Sequence, residues 1–229
     1  PTVSKPDFNI VIEDTHACPY YAGIIIRGVS LTSSPQEIQQ RLAAIGLRPV
    51  NIVVDLTNLV LFELGQPMHA FDLDKLSGKA IYVRRARDQE RFEAINHEIY
   101  SLREQDLVIA DESRAVALAG VMGGVDTEIN ENTTNILLES AFFDPATIRS
   151  TSRYHVLSSD SSYRFERKVD LSMVRKAQDR FVALLKQYSD FTDISTVISD
   201  GTDTVSPLHI SFPLTMIERH LGITIPSNV

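Results

Sequence analysis

The sequence predicts an α+β fold, in which a mixed or antiparallel β-sheet core is flanked by helices. Several segments repeat apolar residues at helical spacing, whereas residues 80–142 hold short runs of strand-forming residues at hairpin-like intervals. The 229 residues are 43% hydrophobic, which supplies enough apolar material for a sizeable core. A disordered chain and a short disulfide-linked scaffold are therefore excluded.

The first predicted elements are a strand and a helix. Residues 21–29 (YAGIIIRGV) form a β-branched run with one basic residue, which is typical of a mostly buried strand. The helix has a start signal, because Ser34 can cap it, Pro35 fits its first turn and Glu37 completes a capping box. Its apolar positions repeat up to Gly46, where we expect it to end.

A second helix and the sheet core follow. The helix begins at about Asn51, presents one apolar face and ends at Gly65, which supplies a left-handed stop. Residues 65–72 (GQPMHAFD) leave it as a loop. The β core then spans residues 80–142, with strands in AIYVRRA, ERFEAI, EIYSL, DLVIAD, AVALAGVMG and NILLESAFF.

The last third of the main domain is mostly helical. Pro145 opens a helix that ends at about His155, and residues 156–170 form an irregular, charge-rich segment. Residues 171–188 carry an apolar stripe and form the longest helix. A strand at residues 194–199 then closes the domain.

Residues 1–206 are expected to form one domain and residues 207–229 the start of a second. Residues 208–229 have the pattern of a new strand and a short helix whose partners are missing. The chain also begins at Pro1 rather than at a methionine. We therefore expect a fragment of a longer protein.

The net charge and the cysteine content limit the classes of protein to which this chain can belong. Cys18 is the one cysteine, so no intramolecular disulfide can form, and a reducing compartment such as the cytoplasm is predicted. A net charge of −8 argues mildly against a surface that binds nucleic acid everywhere, but not against a local contact. No apolar run approaches the ~18 residues of a membrane span, so we expect a soluble protein without membrane contact.

Several catalytic motifs are missing from the sequence. The six histidines form no HExxH or other close ligand pair, and one cysteine cannot build a thiolate site, so no metal site is expected. Without a GxSxG elbow, a serine nucleophile is not expected either. Gly120, Gly123 and Gly124 lack the Walker lysine and the dinucleotide spacing, and their simplest interpretation is a tight turn or bulge.

Three features nevertheless suggest a binding site. His69 follows a helix, where its imidazole can line a pocket, although a histidine bonded to backbone fits the motif equally well. Glu139 lies in the apolar run ILLESAFF and needs a partner or a function, because an unpaired buried charge is costly. The glycine cluster places backbone N–H groups near a strand end, where they can bind an oxygen atom. None of these features alone identifies a reaction.

Four segments together resemble, in order and spacing, the beta subunits of bacterial phenylalanyl-tRNA synthetases. They are NIVVDLTNLVLFELGQPMHAFD, VIADES with ALAGVMGG, ILLESAFFDP and SSDSSYRFERKVD. The resemblance spans about residues 18–200 and corresponds to the editing module of that family, the B3/B4 domain. Residues 208–229 resemble the start of the B5 module that follows it.

The resemblance implies hydrolysis of tyrosine wrongly attached to tRNA(Phe), at a site remote from aminoacylation. The implied partners are the aminoacylated 3′ end of tRNA(Phe) and the alpha subunit, in an α2β2 heterotetramer. The whole enzyme would use ATP and Mg²⁺, whereas this region would use no cofactor. A non-catalytic assembly or tRNA-binding module with a degenerate pocket is the main alternative, and a free-standing hydrolase is a weaker one.

When the family's motifs are matched to this sequence, eight residues occupy the positions of the family's site residues. The catalytic positions are His69, Gly123 and Gly124, and the substrate-binding positions are Asn58, Gly120, Glu139, Ser159 and Ser161. His69 would orient water or the ester, and a ribose hydroxyl of the tRNA is an equally good candidate for the general base. The backbone N–H groups of Gly123 and Gly124 would stabilise the oxyanion. Glu139 would accept the tyrosine hydroxyl, and such a site can discriminate by ~10⁴–10⁵. At Ser159 and Ser161 the family usually has threonine and alanine.

Basic residues outside this site are candidate RNA contacts. They are Arg84, Arg85, Arg87, Arg91, Arg149 and Arg153, and solvated strand and helix faces explain them equally well. The run RFERK at residues 164–168 is instead predicted to form internal salt bridges, because its charges alternate in sign.

Overall fold

The computed structural model describes residues 1–204 and 208–224. The strands are β1 (Thr2–Ser4), β2 (Asn9–Ile12), β3 (Tyr20–Arg27), β4 (Met68–Asp72), β5 (Ala80–Arg85), β6 (Arg91–Glu93), β7 (Ile99–Ser101), β8 (Leu107–Ala110), β9 (Ala115–Leu118), β10 (Met122–Gly123), β11 (Asn135–Phe142), β12 (Asp193–Ser195) and β13 (Ile198–Gly201). The helices are α1 (Gln36–Ala44), α2 (Ile52–Leu64), α3 (Pro145–His155), α4 (Asp160–Phe165), α5 (Met173–Tyr188) and α6 (Leu214–Leu221).

Two sheets organise the molecule. The larger has the order β1-β12-β3-β11-β4, with β13 also pairing β3, and the smaller has the order β10-β9-β8-β5-β2. Strands β3 and β11 are antiparallel neighbours along their whole length, and β4 forms the edge beside β11. Because β1 with β12 and β2 with β5 pair in parallel, both sheets are mixed. The predicted α+β class with a mixed or antiparallel core is confirmed.

The larger sheet separates two apolar cores. On one face, residues such as Ile26 and Leu138 pack against α1, α2 and α5, where Phe181 is fully buried. On the other face, residues such as Ile25 and Leu137 pack against the smaller sheet. Side chains alternate along a strand, so β3 and β11 supply residues to both cores.

Helix α2 forms as its sequence predicts. The side chain of Asn51 accepts a hydrogen bond from the backbone N–H of Val54 at 3.0 Å and caps the first turn. Gly65 ends the helix with φ of +73°, the left-handed conformation that glycine adopts without strain. The predicted strand at residues 21–29 and the helix opened by Pro145 are likewise confirmed.

The capping box predicted for α1 is wrong. The hydroxyl of Ser34 donates to the carboxylate of Asp55 in α2 at 2.6 Å, and the helix begins after Pro35 without a side-chain cap. The buried carboxylate of Asp55 is the stronger acceptor for this hydroxyl, so a tertiary contact replaces the local one.

The predicted loop at residues 65–72 is also partly wrong, because Met68–Asp72 forms strand β4. All five of its residues pair with β11, from Met68 with Ser140 to Asp72 with Ile136. This pairing partner lies more than 60 residues away along the chain, and therefore leaves no local signal in the sequence.

Three predictions in the C-terminal part need correction. The segment 156–170 is not wholly irregular, because it contains α4. The single strand predicted at residues 194–199 is two strands, β12 and β13, which pair along the same side of β3. Residues 208–213 form no strand, although α6 follows them, and the predicted domain boundary at 206–207 lies outside the described residues.

No helix in the described part of the chain is both long and apolar enough to cross a membrane.

Candidate functional site

A cavity of about 410 Å³ lies where β4, α2, α4 and the smaller sheet meet. Ligand sites of small molecules commonly measure roughly 300–1,000 Å³. Seven of the eight predicted site residues line it, namely Asn58, His69, Gly120, Gly123, Glu139, Ser159 and Ser161. Gly124 is the predicted residue that does not line the cavity. Residues from five separate segments of the chain therefore converge on one site.

His69 is held on the inner face of β4. It lies directly opposite Glu139 in the register of β4 with β11, so both side chains project from the same face of the sheet. The imidazole packs edge-on against Phe71, with ring centroids 4.5 Å apart. Its Nε2 atom is buried without a hydrogen-bond partner among the described residues, and burial lowers the pKa of His69 to about 4. The imidazole is therefore neutral at neutral pH.

Gly123 makes room for this imidazole. A Cβ atom at this position would lie 2.6 Å from Cε1 of His69 and 2.8 Å from Nε2, closer than real contacts allow. The glycine at this point of β10 thus has a steric role beyond the tight turn that the sequence suggests.

Glu139 is the buried carboxyl group of the cavity. The hydroxyl of Tyr21 in β3 donates to its Oε2 atom at 3.1 Å. Burial raises the pKa of Glu139 to about 8, although the hydrogen bond from Tyr21 opposes this shift. The carboxyl group therefore keeps its proton at neutral pH. In this state it can both donate a hydrogen bond to a ligand hydroxyl and accept one from it.

The glycine cluster divides into different roles. Gly120 has φ of +66°, and a Cβ there would meet Phe143 and Phe165 at 3.0 Å. The N–H of Gly124 already donates to the carbonyl of Val116 at 2.9 Å, so the geometry does not support its predicted contact with an oxyanion. Because N–H groups alternate in direction along an antiparallel strand, the N–H of Gly123 points away from β9.

Ser159 and Ser161 belong to the start of α4. Ser159 is the N-cap of this helix, and it forms a capping box with Ser162. Its hydroxyl also donates to the carbonyl of Val121 at 2.7 Å, which ties the helix to the turn before β10. Ser159 therefore positions one wall of the cavity, while Ser161 lies in the first turn and lines it. Asn58 lines the cavity from α2.

Sequence reasoning missed several residues of this site. Tyr21 contacts Glu139 but was assigned only to a buried strand, and its role depends on the register of β3 with β11. Additional lining residues are Val54, Thr57, Met68, Glu128, Ile129 and Phe165. Helical spacing from Asn58 identifies Val54, four residues earlier on the same face, and this was the available signal.

The backbone of β4 adds polar groups to the cavity. Met68, His69 and Ala70 line it, and none of the strands in the described part of the chain pairs with the outer side of β4. Antiparallel pairing turns the N–H and C=O groups of every second edge residue away from the sheet. The site therefore combines apolar walls with backbone hydrogen-bonding groups and one buried carboxyl group, an arrangement suited to a small ligand that has both apolar and polar groups.

Two of the arginines considered as RNA contacts form ion pairs within the chain. Arg84 forms two hydrogen bonds with Glu90, at 2.8 and 2.7 Å, and Arg85 pairs with Asp14 at 2.7 Å. Arg149 donates to the carbonyl of Glu166. The remaining candidates, Arg87, Arg91 and Arg153, are exposed. Free basic groups are thus fewer than the sequence suggests.

The predicted pairing within RFERK is confirmed in part. Arg167 pairs with the adjacent Glu166, inside the run, whereas Arg164 pairs with Asp160 one helical turn earlier at 3.0 Å. Both ion pairs lie within or beside α4, the helix that carries Ser161.

Similarity to known proteins agrees with this fold. The family model described as "B3/4 domain" matches residues 17–190. The phenylalanine–tRNA ligase beta subunit of Geobacter sulfurreducens is 43% identical over 220 residues, which is 96% of this chain and 28% of that protein. The beta subunit of Chlorobium chlorochromatii is 50% identical over 185 residues, covering 80% of this chain and 23% of that protein.

A solved structure has the same fold. An N-terminal fragment of the phenylalanyl-tRNA synthetase beta subunit from Pyrococcus horikoshii superposes with a TM-score of 0.56 at 15% identity, over 99% of this chain and 63% of that one. The chain spans less than a third of the length of the bacterial beta subunits it matches. The matched residues 17–190 contain every residue that lines the cavity, and the chain therefore belongs to the B3/4 domain family.

Proposed function

We propose that this chain is the editing region of a phenylalanine–tRNA ligase beta subunit, and that it hydrolyses the ester bond of tyrosyl-tRNA(Phe). One observation carries the proposal: a single cavity of about 410 Å³ brings together Asn58, His69, Gly123 and Glu139. The beta subunits that resemble this chain support the assignment to such an enzyme. Its partners would be the alpha subunit and the aminoacylated 3′ end of tRNA(Phe).

Selectivity for tyrosine would come from Glu139. A tyrosine side chain that enters the cavity can pair its para-hydroxyl with this carboxyl group, whichever of the two is the donor. Phenylalanine would leave the buried carboxyl group without a partner, and this penalty is what separates the two amino acids. The cavity thus selects the more polar of two nearly isosteric side chains.

Hydrolysis would use groups at the β4 and β10 side of the cavity. The neutral imidazole of His69 can accept a hydrogen bond from a water molecule and orient it toward the ester carbonyl. The N–H of Gly123 is the donor we assign to the developing oxyanion, in place of Gly124. Water adds to the carbonyl carbon, and the ester C–O bond then breaks to give free tyrosine and the ribose hydroxyl of the tRNA.

This region would need no cofactor of its own. Ester hydrolysis requires water as the co-reactant, and ATP and Mg²⁺ would serve the aminoacylation site of the whole enzyme.

The test is deacylation of tyrosyl-tRNA(Phe) by the full-length heterotetramer with Glu139→Ala. We expect the preference for tyrosyl-tRNA over phenylalanyl-tRNA to fall by at least about 100-fold, because the hydrogen-bonding group is gone. Ser140→Ala is the matched control, since Ser140 is the next residue of β11, equally buried, and projects to the opposite face.

Two results would contradict the proposal. One is a Glu139→Ala enzyme that keeps the wild-type preference. The other is a wild-type enzyme that does not release tyrosine from the tRNA at all, which would favour the non-catalytic binding module.

A further inference from the structure

Tyr21 is a buried tyrosine next to the cavity that the sequence did not connect with the site. Its side chain is fully buried in β3, and it does not line the cavity itself. Its hydroxyl makes the one side-chain hydrogen bond that Glu139 receives within the described part of the protein, at 3.1 Å on Oε2. Tyr21 therefore contacts the carboxyl group of Glu139 without lining the cavity that a ligand would occupy.

The strand register explains why this tyrosine reaches Glu139. In the pairing of β3 with β11, Gly23 lies directly opposite Glu139 and Tyr21 lies opposite Ala141. Tyr21 is thus the diagonal neighbour of Glu139 on the same face, within reach of a long side chain. Gly23 has no side chain, and the side chains of Ile10 and Leu137 occupy the space beside it, each 3.0 Å from where a Cβ atom would lie.

The two carboxyl oxygens of Glu139 consequently have different surroundings. Oε2 is held by the hydroxyl of Tyr21, whereas Oε1 has no hydrogen-bond partner among the described protein atoms. Rotation about the terminal torsion of a glutamate is only weakly restricted, so an unheld carboxyl group would present either oxygen in a range of directions. The hydrogen bond from Tyr21 removes that freedom.

We propose that Tyr21 is a positioning residue that fixes the carboxyl group of Glu139 so that Oε1 alone meets the para-hydroxyl of the bound amino acid. This inference rests on the proposed editing function. Tyr21 contributes to specificity through Glu139, because a fixed carboxyl group pairs with a hydroxyl at one position of the ring and pairs poorly elsewhere.

The experiment uses the full-length heterotetramer with Tyr21→Phe, which keeps the ring in the core and removes the hydroxyl. Tyr20→Phe is the matched control, because Tyr20 is the preceding residue of β3, is also buried and packs on the opposite face against Val174. The measured quantity is the ratio of kcat/KM for tyrosyl-tRNA(Phe) to kcat/KM for phenylalanyl-tRNA(Phe). We expect Tyr21→Phe to lower this ratio by about 10- to 100-fold, and Tyr20→Phe to leave it unchanged.

The pH profile of the same ratio separates positioning from packing. Three titratable groups lie around the carboxyl group: Tyr21 from β3, His69 from β4, and Cys18 from the segment before β3. Since the hydrogen bond from Tyr21 favours the ionised form of Glu139, its loss should move the inflection of the profile to higher pH. Loss of packing alone would leave the inflection where it is.

A double variant distinguishes failure of this inference from failure of the proposed function. If Glu139→Ala keeps the wild-type ratio, the proposed function fails. If Glu139→Ala lowers the ratio but Tyr21→Phe matches wild type, or if Tyr20→Phe lowers it equally, the positioning role is overturned. We expect that adding Tyr21→Phe to Glu139→Ala lowers the ratio no further, because both changes act through one carboxyl group.

Discussion

The two faces of the larger sheet are built from the same strands but differ in chemistry. On the helix side, Ile136 and Leu138 of β11 close against α2 and α5 in an apolar core. On the other side, the next residue, Glu139, shares a cavity with His69. A single strand thus contributes to an apolar core with one face and to the candidate site with the other, and substitutions on the two faces should act in different ways.

The largest effect on stability is expected on the helix side. Phe181→Ala removes a fully buried ring from α5 and leaves a cavity, so the free energy of unfolding should fall by about 3–5 kcal/mol. Urea unfolding measures this loss. The tyrosyl-to-phenylalanyl ratio of the folded enzyme should stay at the wild-type value, and a changed ratio would break the separation of the two faces.

On the cavity side, Glu139→Gln should raise stability at high pH. The pKa of Glu139 is raised from 4.5 to about 8 in the folded protein, so the folded state binds more protons than the unfolded state between these values. The carboxyl group therefore costs increasing stability as pH rises from about 4.5 to about 8, and glutamine removes that cost.

Urea unfolding across this pH range checks the prediction. The difference in unfolding free energy between Glu139→Gln and wild type should increase by about 4 kcal/mol from pH 4.5 to pH 9. The titration of His69 occurs in both proteins and cancels in the difference. A difference that is flat with pH would mean that Glu139 is not desolvated.

His69→Ala should reduce the rate of hydrolysis rather than the stability of the protein. We expect hydrolysis of tyrosyl-tRNA(Phe) to slow by about 100-fold or more, because the group that orients water is lost. Nε2 has no hydrogen bond to lose, so the free energy of unfolding should change by less than about 1 kcal/mol. The exposed His16→Ala serves as control. A collapse of the melting temperature would instead make His69 a structural residue.

Gly123→Ala should have the smallest effect of the four. The added Cβ meets the imidazole of His69 at less than 3 Å and must displace it, but its three nearest neighbours all belong to this one side chain and none to the backbone. We expect about a tenfold loss of hydrolysis with the tyrosine preference retained, since Glu139 is not disturbed. Wild-type hydrolysis by this variant would show that the position of the His69 ring does not matter.

Local signals and long-range pairing explain which parts of the fold could be predicted. Helix α2 has its cap at Asn51 and its stop at Gly65 within its own sequence, and the sequence predicts both its start at about Asn51 and its end at Gly65. Strand β4 depends on pairing with β11, and the six-residue helix α4 is tied to the turn before β10 by a bond from Ser159 to Val121, so the sequence pattern predicts neither element. Short elements whose stability comes from distant partners carry little local pattern.

The candidate site follows the same division. The family resemblance identified seven residues that line the cavity, because motif order survives in the sequence. It did not identify Tyr21, because the contact of Tyr21 with Glu139 depends on the strand register. It also did not show that the N–H of Gly124 already donates a hydrogen bond to the carbonyl of Val116. The resemblance identified the residues, and the strand pairing determined their contacts.

The most direct test is a structure of the full-length enzyme with L-tyrosine bound. We expect a tyrosine ring in the cavity, with its phenol oxygen about 2.5–3.0 Å from Oε1 of Glu139 and Oε2 still bonded to Tyr21. L-Phenylalanine at the same concentration should leave the cavity empty. Tyrosine bound with its hydroxyl away from Glu139, or equal occupancy by phenylalanine, would contradict the central claim.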